Sequence, residues 1–154
     1  MILPFDLVVI GKNPIWWLKM IILDTNACID YLNGISEVGK IISDQEDLVH
    51  ITSITVYEIN IGLERTKRKV SEKRYHELYK SWVEVISSME IFPLGYKEAE
   101  KAAEVYDNLE AKGQKIDDND ILIVGIMLSN GITKIITRNV KHFEKIEEIE
   151  IIHY

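Results

Sequence analysis

The sequence predicts an α/β fold, a parallel sheet with helices on both faces. Three observations carry that expectation. From Met20 onward, short apolar runs alternate with segments of helical periodicity. One later segment, "DILIVGIMLSNG" at 120–131, is apolar nearly all round, the mark of a buried helix. The chain of 154 residues, 47% apolar and 28% charged, suits one domain with a sizeable core.

The elements follow in order. "MIILD" at 20–24 is a short apolar strand that stops at an acid. "ACIDYLNG" reads as a helical turn or two, closed by Asn33-Gly34. "LVHITS" at 48–53 is a second strand, and Thr52 or Ser53 can cap the helix expected over 54–65. Tyr75, Leu78, Trp82, Ile86 and Met89 repeat at three and four, which predicts a long helix over 71–89 capped by Ser71. "EIFPL" at 90–94 is a third strand. Ala99, Ala102, Tyr106 and Leu109 mark another amphipathic helix, ended by Gly113. After the buried helix, "ITKIITR" at 132–138 and "IEIIHY" at 149–154 complete a set of five strands.

Composition excludes several classes. Glycine and proline are sparse, and there is no internal repeat or low-complexity segment. The lone cysteine, Cys28, reads as a small core residue, and without a disulfide framework a reducing cytoplasm is the expected compartment. The net charge of -7 argues against nonspecific nucleic-acid binding by the chain as a whole. It leaves room for a local basic patch and fits a site crowded with carboxylates. Residues 1–19 are apolar but interrupted by Asp6, Lys12, Asn13 and Pro14, short of the roughly 18 apolar residues a membrane span needs. They lack the basic start and cleavage site of a signal peptide. They are expected to be an upstream extension to a domain covering 20–154, although the adjacent Trp16 and Trp17 would also suit a partner contact.

In open α/β sheets ligands bind beyond the carboxyl ends of the strands. Asp24 stands at such an end, Asp117, Asp118 and Asp120 open the buried helix, and Glu58 lies early in the helix after the second strand. Carboxylates brought together repel, and protonation or a cation must offset them. Hard divalent cations such as Mg²⁺ or Mn²⁺ take oxygen ligands of this kind. The plainer reading is that Asp24 and at least one acid of "IDDND" are helix caps and that Glu58 faces solvent.

"ILDTNACIDYL", "ITVYEINIGL", "IDDNDILIVGIML" and "ITKIITRNVKHFEKI" resemble, in order, the motif blocks of PIN-domain ribonucleases, above all the VapC-type toxins of toxin–antitoxin pairs. The resemblance covers residue 20 to about 152. It implies a three-layer α/β/α sandwich and RNA cleavage dependent on Mg²⁺ or Mn²⁺. Carried over residue by residue, it implies Asp24, Glu58 and Asp120 as catalytic metal-binding acids. Asn26, Asp118, Thr137 and Asn139 fall on auxiliary positions. Many relatives carry a fourth acid where this chain has Asn139, which puts a second cation in doubt. His142 nearby reads as a cap or packing residue, with a ligand or proton-donor role as the alternative.

The expected chemistry is in-line attack of an activated water on an RNA phosphodiester, and the resemblance implies products with a 3′-hydroxyl and a 5′-phosphate. Because acids repel RNA, cations must hold the strand. Arg65, Lys67, Arg68 and Lys69 follow the Glu58 helix, Lys73 and Arg74 lie just beyond, and Arg138 is a further candidate. A solvated loop is the bland alternative for the basic run. The resemblance also implies a small antitoxin partner seated in a groove near the site, and a homodimer or toxin–antitoxin hetero-oligomer, with the Trp82 helix or residues 1–19 as contact surface. A non-catalytic PIN-like module that binds RNA or protein is the rival reading. A receiver needs an Asp at the end of the third strand, and a haloacid-dehalogenase-type phosphatase needs one two after Asp24; the chain has neither.

Overall fold

The structure is a computed structural model, and it describes residues 20–154. The 1–19 segment, expected as an extension, lies outside the described residues. Five strands form one parallel sheet: β1 (Met20–Leu23), β2 (Leu48–Thr52), β3 (Ile91–Phe92), β4 (Lys134–Ile136) and β5 (Glu150–Ile152), in the order β3-β2-β1-β4-β5. The strands are shorter than their apolar runs, and the ends of those runs supply caps and turns instead.

Among the described residues, seven helices surround the sheet: α1 (Thr25–Leu32), α2 (Ser36–Asp44), α3 (Ser53–Lys67), α4 (Glu72–Ser88), α5 (Tyr96–Ala111), α6 (Asp118–Ser129) and α7 (Val140–Phe143). Alternation along the central strands feeds two cores. Ile22 and Ile135 face α5 and α6, where Ala102, Val105, Leu109, Ile123, Val124 and Met127 pack. Ile21, Leu23, Ile51 and Ile136 face the other way, onto Ala27, Cys28, Val38, Ile59 and Trp82 from α1 to α4. This is the expected α/β/α sandwich. Trp82 is 1% exposed and belongs to this inner core, while Tyr79 of the same helix is exposed. Cys28 is fully buried and burial pushes its thiol up to about 12, as a packing residue requires.

The caps explain where helices start. Asp24, Thr52, Ser71 and Asp117 each accept a backbone N–H of the following first turn. The buried helix therefore begins at Asp118, two residues before the expected start. The α5–α6 pair is the closest helix packing. Gly125 lies where a Cβ would stand 2.5 Å from the Ala102 Cβ and 2.7 Å from the Glu98 carbonyl. Among the described residues no helix is long and apolar enough to cross a membrane.

Candidate active site

The sheet order reverses between β1 and β4, and a crevice opens beyond their carboxyl ends. Asp24 follows β1 directly and Thr137 follows β4 directly. Asp24 is 2% exposed. Its Oδ1 accepts from the Ala27 N–H at 2.6 Å, and its Oδ2 accepts from the Thr137 hydroxyl at 2.5 Å. Burial pushes the Asp24 carboxyl up to about 6, against the pull of those two hydrogen bonds. Asp24 is thus both the α1 cap and a candidate ligand, so the two readings of this residue are compatible.

Glu58 sits in the second turn of α3 and reaches both neighbouring elements. Its Oε2 accepts from the Thr25 hydroxyl, and its Oε1 accepts from Asn119 Nδ2 at 2.9 Å. Glu58 is therefore not a solvent-facing residue. Asp120, in the first turn of α6, has its Oδ2 2.5 Å from His142 Nδ1. Burial raises its proton affinity, His142 opposes that, and the charges of Asp117 and Glu58 add to the rise. The Asp120 charge in turn raises Asp24. Three carboxylates distant in sequence thus share one edge of the sheet.

His142 Nδ1 also lies 2.8 Å from Asn139 Nδ2. One ring nitrogen cannot donate to Asp120 and accept from Asn139 at once. Both contacts are satisfied when Nδ1–H is shared between Asp120 and the amide oxygen of Asn139, its side chain turned over. Asn139 further donates its backbone N–H to Thr137 Oγ1 at 2.8 Å.

The other sequence candidates divide. Thr137 is fully buried against Asp24. Asn26 is half-buried in the first turn of α1 and makes no hydrogen bond to the acids among the described residues. Asp118 is exposed and lines a separate cleft with Tyr106, Gln114 and Lys115, away from the cluster. Arg138 lies near enough for its charge to lower Asp24, and its Nη1 is 2.9 Å from Asp30 Oδ2, which also accepts from the Tyr154 hydroxyl. Arg65 and Lys67 occupy the last turn of α3, and Arg68 and Lys69 follow it; Lys67 rests over the Tyr75 ring at 5.4 Å. A groove of about 470 Å³ runs between α1, α3 and α4 from Glu58 to Thr66 and Arg74, floored by Ile29, Leu32, Leu63 and Leu78. Thr25, Asn119 and the Asp30–Tyr154 pair were not anticipated, since no periodicity or spacing marks a hydrogen bond across 61 or 124 positions.

The donor set is chemically suited to a hard divalent cation: all carboxylate oxygen, with Asp24 and Asp120 disfavoured as anions by burial and, to a smaller extent, by neighbouring carboxylates. Among the described residues, no three His, Cys, Asp or Glu side chains are yet gathered to hold an ion. Asp120 is engaged by His142, and Glu58 by Thr25 and Asn119.

Residues 21–149 match the PIN domain, and the chain belongs to the PIN-domain family. Within it, the chain is 30% identical to Ribonuclease VapC of Rickettsia bellii over 133 residues, covering 86% of this chain and 94% of the relative. It is 26% identical to Ribonuclease VapC2 of Rickettsia felis over 135 residues, covering 82% and 92%. Among solved structures, DNA-bound VapBC from Salmonella typhimurium is similar with a TM-score of 0.72 and 26% identity, covering 88% of this chain and 98% of that one. VapBC2 from Rickettsia felis, bound to a DNA fragment from its promoter, is similar in fold with a TM-score of 0.74 and 22% identity over the same shares.

Proposed function

We propose that this chain is a cytoplasmic endoribonuclease of the VapC type, dependent on Mg²⁺ or Mn²⁺, and the toxin of a toxin–antitoxin pair. The convergence of Asp24, Glu58 and Asp120 beyond β1 and β4 carries that reading. The relatives named as VapC ribonucleases and the VapBC complexes of like fold support it. Asp24 and Asp120, with Glu58, are the residues to hold the cation. When bound, a divalent cation supplies Lewis acidity, neutralising charge at phosphorus and activating water.

The chain's own groups then have distinct tasks. Thr137 and the Ala27 N–H fix both oxygens of Asp24. Thr25 and Asn119 fix both oxygens of Glu58. Arg138, steadied by Asp30, has guanidinium donors left over for a phosphate oxygen beside the acids. Arg65, Lys67, Arg68 and Lys69 hold the RNA strand further out. The antitoxin seats a segment in the groove between α1, α3 and α4, ending beside Glu58.

Induced expression of the full chain in a bacterial cell tests this. Wild type should arrest growth and create new RNA ends. Asp24→Asn should grow normally, and co-expressed antitoxin should relieve the arrest. Equal growth and identical RNA ends for wild type and Asp24→Asn would leave the non-catalytic reading in its place.

A further inference from the structure

The three acids have six carboxylate oxygens. Among the described residues, five of them accept a hydrogen bond or contact a ring nitrogen, and Asp120 Oδ1 alone has no protein partner. Asp120 Oδ2 is held from one side only, by His142. The ring is braced by Asn139, whose backbone N–H bonds Thr137, whose hydroxyl in turn bonds Asp24. A continuous chain of contacts therefore runs from Asp24 through Thr137, Asn139 and His142 to Asp120. A carboxylate in place of Asn139 would add a negative charge beside acids whose proton affinity is already raised, by burial first and by neighbouring carboxylates second.

We propose that Thr137, Asn139 and His142 form a strut fixing Asp24 relative to Asp120, with His142 as the positioning residue that holds Oδ2 of Asp120 and leaves Oδ1 open as its ligand oxygen. This rests on the cation-dependent reading above. His142 itself touches neither substrate nor ion in this scheme; it acts through Asp120. Partners that orient a metal-binding side chain typically change metal affinity 10–100-fold when removed. The donor at the position of Nδ1 is what matters, so Asn, whose Nδ2 falls near that point, should replace His.

The test is direct Mn²⁺ binding by electron paramagnetic resonance, on the metal-stripped full chain, alongside RNA cleavage. His142→Ala should raise the Mn²⁺ dissociation constant about 10–100-fold. It should lower kcat at limiting Mn²⁺, recover it in excess Mn²⁺, and leave KM for RNA unchanged. His142→Asn should keep most of the affinity. The side chain is 36% exposed, so Ala is expected to fold. If it does not, His142→Phe keeps the ring, removes the donor, and should show the same loss. An Ala or Phe variant that binds Mn²⁺ as tightly as wild type, or an Asn variant as weak as Ala, overturns the strut alone. A wild-type chain that binds no Mn²⁺ overturns the nuclease reading and the strut with it.

Discussion

Asp24 carries two duties that pull its charge in opposite directions. As a cap, and in its proposed role as a ligand, it works ionised; as a group 2% exposed it favours the proton. Its carboxyl sits at about 6 rather than 3.8, so without a cation the native state gains from holding that proton. That gain is fully present below about pH 4 and is lost as pH rises through about 6, amounting to about 3 kcal/mol. Urea unfolding in chelator should therefore show wild type losing stability relative to Asp24→Asn over that window. Parallel curves for the two proteins would refute the assignment. Thr137→Val removes the hydroxyl that Asp24 accepts and should lower stability by about 1.5–3 kcal/mol, with Thr137→Ser close to wild type. Asp24 and Asp120 stand in the sequence at the borders of apolar runs, whereas Glu58 lies inside α3 among apolar neighbours, and the choice of these three acids came from the resemblance to PIN-domain ribonucleases. Thr25, Asn119 and the contact of His142 were not legible there, because their partners are brought near only by the strand order.

At the scale of elements, the starts of α3 and α4 followed from their caps and the buried character of α6 from its composition, whereas α1 and α6 each begin two residues before the expected start. The helix α2 was not anticipated, although Ile35, Val38, Ile41 and Ile42 carry an amphipathic spacing. The four residues of α7 are too few for a period to show. The α5–α6 contact has a sharp consequence. Gly125→Ala must push Ala102 or the α5 backbone aside, and a fall of about 1–3 kcal/mol in thermal or urea unfolding is expected. The turn between α3 and α4 presents the other testable element. If Lys67, Arg68 and Lys69 contact phosphates, replacing all three by Ala should weaken RNA binding and flatten the salt dependence by about two units of log–log slope. An unchanged slope in fluorescence anisotropy would assign these cations to the α3 terminus, where they complement the helix dipole.

The whole molecule turns a sheet order into a site. Putting β1 beside β4 brings Asp24 to Thr137, and laying α3 and α6 across the same edge brings Glu58 and Asp120 to them. Under the proposed function, a net charge of -7 and a carboxylate cluster would make RNA contact depend on cations, both bound and in the side chains of the α3–α4 turn. The most direct measurement is cleavage by the purified chain. Total RNA is incubated with wild type or Asp24→Asn, in Mn²⁺ or in chelator, and the new 5′ ends are mapped by sequencing. Wild type in Mn²⁺ should yield discrete 5′-phosphate ends, with none in chelator or with Asp24→Asn. The same ends from both proteins, or ends that persist in chelator, would contradict the proposed function.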